Sequence, residues 1–262
     1  MLRGGLNPRA LASRFAVAAV ICGAMCGGAA PSFAYRPFDG TDAAVAEPGQ
    51  LEVELQPAGR LQEGSQSFLV APGIVLNFGL TKGLEAVFEG RLLTPLSSSE
   101  PPNLTDAGTF LKYVLRPGVL QDKSGPSIAT EFGVLYPETA GDSHFGASWA
   151  GIISQRWDWG TVHFNVQTLF NREQRADLFV SIIVEGPHKW KVRPVAEVFY
   201  KDDVGSAQTF SALVGLIWQV REDLSFDVAV REASLNGRAV NELRAGLTFA
   251  FPLDRSMHST KK

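Results

Sequence analysis

From Leu51 onward the chain repeats one motif: short segments, each about nine to eleven residues long, in which apolar and polar positions alternate with a period of two. In the first segment Leu51, Val53 and Leu55 alternate with Glu52, Glu54 and Gln56. The second sets Val70, Ile74, Leu76 and Phe78 on one face with Asn77 opposite. After Thr81-Lys82-Gly83, a third sets Leu84, Ala86, Phe88 and Leu92 against Glu85, Glu89 and Arg91. The fourth opposes Leu111, Tyr113 and Leu115 to Lys112, and the fifth opposes Ile128, Phe132, Val134 and Tyr136 to Glu131. The sixth, Phe145 to Trp157, has too few polar residues for its facing to be read.

The alternation resumes in the seventh segment, where Val162, Phe164, Val166 and Phe170 face away from His163, Asn165, Gln167 and Asn171. In the eighth, Leu178, Val180, Ile182 and Val184 oppose Asp177, Ser181 and Glu185; in the ninth, Val192, Ala196, Val198 and Tyr200 oppose Arg193, Glu197 and Lys201. The tenth runs Phe210 to Val220. The eleventh sets Leu224, Phe226, Val228 and Val230 against Ser225, Asp227 and Arg231, and the twelfth sets Leu243, Ala245, Leu247, Phe249 and Phe251 against Arg244 and Thr248. Helical periodicity is nearly absent, so the chain reads as all-β with about twelve antiparallel strands.

A soluble sandwich and a transmembrane β-barrel both alternate. The oily faces assigned above carry no charge, as lipid demands, because a charge at the bilayer midplane costs roughly 2 to 4 kcal/mol on a barrel exterior. Trp157, Trp159, Trp190 and Tyr113 fall near one end of the strands, and Tyr136 and Tyr200 near the other, which predicts two aromatic girdles at the membrane interfaces. The links Ala58–Gln66, Thr94–Asp106, Pro137–His144, Asp202–Ser206 and Ser234–Val240 read as long loops at one end, against tight turns at Thr81, Asp158, Pro187 and Glu222. That asymmetry predicts periplasmic termini and external long loops, although the long link Arg116–Pro126 and the short link Arg172–Arg175 run against it. The barrel domain is expected over 49–251, with a periplasmic segment at 35–48 and a tail at 252–262. The competing architecture is a secreted soluble β protein.

The N-terminus changes the picture of composition. Arg3, Arg9 and Arg14, an apolar run from Phe15 to Ala30, and Pro31-Ser32-Phe33-Ala34 have the order of a secretory signal peptide over 1–34, with Tyr35 as the mature start. Cys22 and Cys26 lie inside that leader, so the mature chain is expected to have no thiol chemistry. Removing the leader takes the balance of 24 basic and 27 acidic residues to 21 against 27, which disfavours a nucleic-acid partner.

Against this background, Tyr35-Arg36-Pro37-Phe38-Asp39-Gly40-Thr41-Asp42-Ala43-Ala44, followed by Glu47-Pro48-Gly49-Gln50-Leu51-Glu52-Val53-Glu54, resembles the mature start of a bacterial family labelled meta-pathway phenol degradation proteins. Gly79-Leu80-Thr81-Lys82-Gly83-Leu84-Glu85 resembles that family's first periplasmic turn, and Phe110-Leu111-Lys112-Tyr113-Val114-Leu115-Arg116 its following strand. The resemblance implies a transporter-like barrel in the bacterial outer membrane, with aromatic or other hydrophobic solutes, and it supplies no catalytic residues.

The charged positions of the polar faces are the candidate lumen lining: Glu52, Glu54, Glu85, Glu89, Arg91, Lys112, Glu131, Asp177, Glu185, Arg193, Glu197, Lys201, Asp227, Arg231 and Arg244. They either pair into an ion network that fills the interior, or line a pore and set its selectivity. The first alternative corresponds to a closed structural or interaction barrel, the second to a passive channel for small solutes. An enzyme is not expected: His163 faces inward near a turn, His188 is in a turn, His258 is in the tail, and His144 beside Ser143 would point to the opposite face. No spacing resembles a metal-ligand set, and no cofactor-binding fingerprint is present. The expected partners are membrane lipid and a small solute.

Overall fold

The computed structural model describes residues 36–253. The leader 1–34 with its cysteines, Tyr35 and tail residues 254–262 with His258 lie outside the described residues. Twelve strands are present: β1 (Gln50–Glu63), β2 (Gln66–Thr81), β3 (Leu84–Pro95), β4 (Asn103–Arg116), β5 (Ser127–Leu135), β6 (Gly146–Trp157), β7 (Gly160–Phe170), β8 (Ala176–Glu185), β9 (Val192–Asp203), β10 (Ala207–Arg221), β11 (Leu224–Leu235) and β12 (Arg238–Pro252). Each pairs antiparallel with its sequence neighbours, and β1 closes the sheet on β12 with Gln50 opposite Pro252. Closure satisfies every strand edge, as a sheet surrounded by hydrocarbon requires.

Burial is inverted relative to a soluble protein. On β10 the outward residues Phe210 and Val214 are 61% and 58% exposed, and Leu216 and Trp218 on the same face are also exposed. Similar belts run over β8, β9 and β11, while the inward positions are largely polar. An apolar surface continuous around a barrel far exceeds what a soluble monomer exposes, and this excludes the secreted soluble alternative. The sheet is a transmembrane β-barrel. The sixth segment, unreadable from sequence, turns Trp149 and Ile153 outward and buries Ser148, Ala150, Ile152 and Ser154 inside.

Three sequence expectations are corrected. Val70 is not on the oily exterior: it is 1% exposed and packs inside with Leu61 and Val240. Register irregularities between Leu55 and Ala58 on β1, and between Val70 and Gly73 on β2, bracket Pro57 and Pro72. Proline has no N–H for the ladder and collects at such bulges, and one extra residue reverses the facing of everything beyond it. The expected long loop Ala58–Gln66 is strand on both sides of a two-residue turn, Gly64-Ser65. Ser234–Val240 likewise contains only the turn Asn236-Gly237, whose positive φ angles of 48° and 81° make it a primed hairpin turn. With these two loops gone, the remaining long links are 96–102 and 136–145 at one end and 117–126 at the terminus end, so loop length no longer separates the ends clearly.

The largest departure concerns the N-terminal segment. Residues 36–48 run inside the barrel rather than outside it.

Candidate functional site: the lumen and its N-terminal plug

The inner wall comes directly from strand alternation. Of the fifteen charged positions expected in the lumen, Glu52, Glu54, Glu85, Lys112, Asp177, Glu197, Asp227 and Arg244 are buried within the closed sheet, Glu89, Arg91, Glu131, Lys201 and Arg231 line its cavity, and Glu185 and Arg193 pair with each other. The exterior aromatics Tyr113, Trp157, Trp159 and Trp190 stand at the terminus end, and Tyr136 and Tyr200 toward the other end; all six are exposed.

Segment 36–48 has no periodicity of its own, so its backbone N–H groups need partners that a sheet does not supply. The wall provides them. The Glu197 carboxylate accepts the N–H groups of Asp39 (2.7 Å) and Gly40 (2.8 Å), and Asn165 Oδ1 accepts that of Thr41 (3.0 Å). Ser154 Oγ accepts the Ala43 N–H at 2.9 Å and Glu85 that of Ala46 at 2.6 Å. Arg36 donates to Gln56 and lies 3.4 Å from Asp227, while Lys112 reaches Thr41 and Asp42. Arg244 donates to the Pro37 carbonyl at 2.6 Å and to Asp39 at 2.9 Å. Burial alone would raise the Asp39 carboxyl, but Arg244, with Arg231 and Arg91, outweighs it and holds the group at about 2.

These contacts carry the segment from β12 and β1 across to β9, β7 and β6, then back to β3, as a loop through the terminus-side half of the lumen. From the mouth, the 3-10 turn Val119–Gln121 of the β4–β5 link closes over it: Gln121 donates to the Ala43 carbonyl, and Leu120 packs on the Ala43, Ala129 and Ile152 cluster. Two glycines permit the fit. A Cβ on Gly40 would collide with Ser181 Oγ, and one on Gly79 would collide with the backbone carbonyls of Ala46 and Glu47.

Beside the plug lies a cavity of about 1540 Å3. Its lining includes Lys82, Asp122 and Pro252 at the terminus end and Glu138, Asp142 and Ser206 at the other. Most wall charges along it are paired. Glu242 sits among Arg231 (2.9 Å), Arg244 (2.9 Å) and Arg91 (3.9 Å); Arg91 also pairs with Asp106, Glu85 with Lys112, and Lys201 with Asp177 and Asp203. Among the described residues Glu89 and Glu131 line the cavity with no cation in ion-pairing range. Farther along, Phe179 and Phe199 pack at 5.1 Å and Phe110 lies against Val87 and Leu135, giving the passage an apolar flank.

Sequence reasoning missed Glu242, Asp39 and Asp42. The expected twelfth segment begins at Leu243 and leaves Glu242 out; the Asn236-Gly237 turn signal extends that strand back over it, as β12 from Arg238 shows. Nothing in the pattern of 36–48 announces a plug.

One arrangement resembles nucleophilic machinery. Ser154 Oγ lies 2.8 Å from His163 Nδ1, and His163 Nε2 lies 3.0 Å from Glu185, which also meets Arg193. Ser154 is fully buried, its oxygen is engaged by the Ala43 N–H, and neither Ser154 nor His163 lines the cavity. A nucleophile needs room for an acyl group and a donor pair for its oxyanion. This chain instead anchors the plug to the wall.

No protein-family profile matches the sequence, and no curated protein matches it. Solved structures do. KdgM porin is similar over 76% of this chain and 99% of its own, with 11% identity and a TM-score of 0.52. NanC porin is similar over 76% and 98%, with 9% identity and a TM-score of 0.54. An outer membrane channel from Pseudomonas putida F1 is similar over 82% and 100%, with 8% identity and a TM-score of 0.59. At such identities the likeness is one of fold: the closed barrel described above is the architecture of these outer-membrane channels.

Proposed function

We propose that this chain is a bacterial outer-membrane channel for small solutes, with both termini on the periplasmic side and a passage narrowed by its own N-terminal segment. The observation that carries the reading is the 1540 Å3 cavity, whose lining reaches residues at both ends of the barrel alongside the plug. Two-residue turns close three links at the terminus end, Lys82-Gly83, Asp158-Trp159 and Glu222-Asp223, against two at the other, Gly64-Ser65 and Asn236-Gly237, a small difference in the direction of periplasmic termini. Paired charge together with the apolar flank of Phe110, Phe179 and Phe199 suits neutral, partly hydrophobic solutes. The resemblance of the mature start to the meta-pathway phenol degradation family supports aromatic compounds among them.

The plug also favours a second reading, a closed structural barrel, because its contacts engage eight of the twelve strands. Proteoliposomes separate the two. A channel makes them swell in isotonic solutions of small neutral solutes faster than protein-free vesicles; a closed barrel leaves the rate unchanged.

A further inference from the structure

At the terminus-side rim, between the β6–β7 turn and the β8–β9 link, lies a notch of about 390 Å3 lined by Val119, Lys123, Arg156, Trp157, Asp158 and His188. It adjoins the lumen mouth, sharing Lys123 with the cavity lining and Val119 with the turn that closes over the plug, but opens on the outer side of the rim. Alternation puts Arg156 toward the mouth and turns Trp157 outward, so the notch straddles the rim from the aqueous mouth to the lipid-facing surface. Trp157 and Trp159 stack at 5.5 Å with their planes 9° apart, both exposed, and Trp190 stands exposed two residues beyond His188. Such rings mark the headgroup level of a bilayer.

The lining of the notch is net positive, with Asp122 beside Lys123 and Glu185 near Arg156 as the acids behind it. Lys123 and Arg156 line it, Lys189 follows His188, and Asp158 is the one acid in the lining. Burial lowers the His188 ring first, Arg156, Lys189 and Arg193 lower it further, and Asp158 opposes them.

We infer that this notch is a binding site for the phosphate headgroup of an anionic phospholipid, with Lys123 and Arg156 meeting the phosphate and Trp157 packing along the glycerol and upper acyl region. The inference rests on the barrel standing in a bilayer, whose headgroup plane passes through the Trp ring stack. A concave, basic site at that depth favours an anionic lipid over a zwitterionic one by about fivefold for each cation that reaches the phosphate.

The test uses the full mature protein, with Trp149 and Trp218 replaced by Phe, in vesicles containing phosphatidylglycerol or phosphatidylcholine with brominated acyl chains at equal mole fraction. The expected result is severalfold more effective quenching of the remaining tryptophans by brominated phosphatidylglycerol. Lys123→Gln with Lys189→Gln, both on exposed links, lowers that preference, and adding Arg156→Gln abolishes it. Heat-modifiable gel migration and flotation with vesicles report independently that each variant is folded and embedded. Equal quenching by the two lipids overturns the inference, as does a preference that survives the triple substitution. Loss of the preference in the presence of millimolar glycerol phosphate assigns the notch to a soluble phosphate and overturns the lipid assignment.

Discussion

Arg244, midway along β12, donates to the carboxylate of Asp39 at 2.9 Å, joining residues 205 positions apart and fixing the plug to the wall. The same guanidinium holds the Pro37 carbonyl and Glu242. Arg244→Ala therefore removes a plug anchor and strips Glu242 of one partner, a change of the kind that costs about 3 to 5 kcal/mol when a buried pair is broken. The barrel is expected to persist, with lower resistance to urea in vesicles and a larger single-channel current. Because Asp39 is depressed to about 2 from 3.8, its contribution is fully present above pH 3.8 and is lost only as pH falls through about 2. This contact alone therefore does not release the plug at mildly acidic pH.

Gly40 offers a direct probe of where the plug lies. A Cβ built there meets Ser181 Oγ, so Gly40→Cys with Ser181→Cys places two sulfurs in contact in a mature chain expected to contain no other thiol. Oxidation of folded protein should give near-complete cross-linking, read as protection of both thiols from alkylation. Free thiols after oxidation of the folded barrel would mean that 36–48 does not occupy the lumen.

Glu89 and Glu131 are the carboxylates predicted to set ion selectivity, because neither is neutralised by a cation in ion-pairing range among the described residues. Glu89→Gln with Glu131→Gln should shift the reversal potential under a salt gradient toward lower cation preference. Glu85→Gln should act differently. It removes one of the two carboxylates on Lys112, which keeps Asp42 and Thr41, and weakens the charge-assisted Ala46 contact, so it loosens the plug more than it tunes selectivity.

Ser154→Ala leaves the Ala43 N–H and His163 Nδ1 without their shared partner, at a cost of about 1 to 3 kcal/mol. Urea titration in vesicles should register this loss. Ester hydrolysis by the wild-type protein should be at background and unchanged by the substitution; serine-dependent turnover would contradict the anchoring role.

The barrel and most of its facing are legible because lipid enforces alternation along the strands, the sixth excepted for want of polar residues, and the charged inner face follows from the same rule. Val70 was misplaced because a bulge near Pro72 breaks that rule locally, and alternation has no means of signalling a skipped residue. Glu242 escapes the alternation because the Asn236-Gly237 turn, read as part of a long loop, leaves the first residues of β12 outside the expected strand. The plug was illegible for a different reason. Residues 36–48 make their hydrogen bonds to side chains from many strands, so their conformation is set by long-range partners such as Glu197, Asn165 and Ser154 and leaves no periodic trace.

The central claim, a passage through the barrel narrowed by the N-terminal segment, is tested most directly by single-channel recording of the wild-type protein beside a variant lacking residues 36–48. The account predicts small, discrete current steps for the wild type and severalfold larger ones for the deletion, with heat-modifiable migration retained in both. Folded protein that conducts in neither form, or that conducts equally in both, would contradict it.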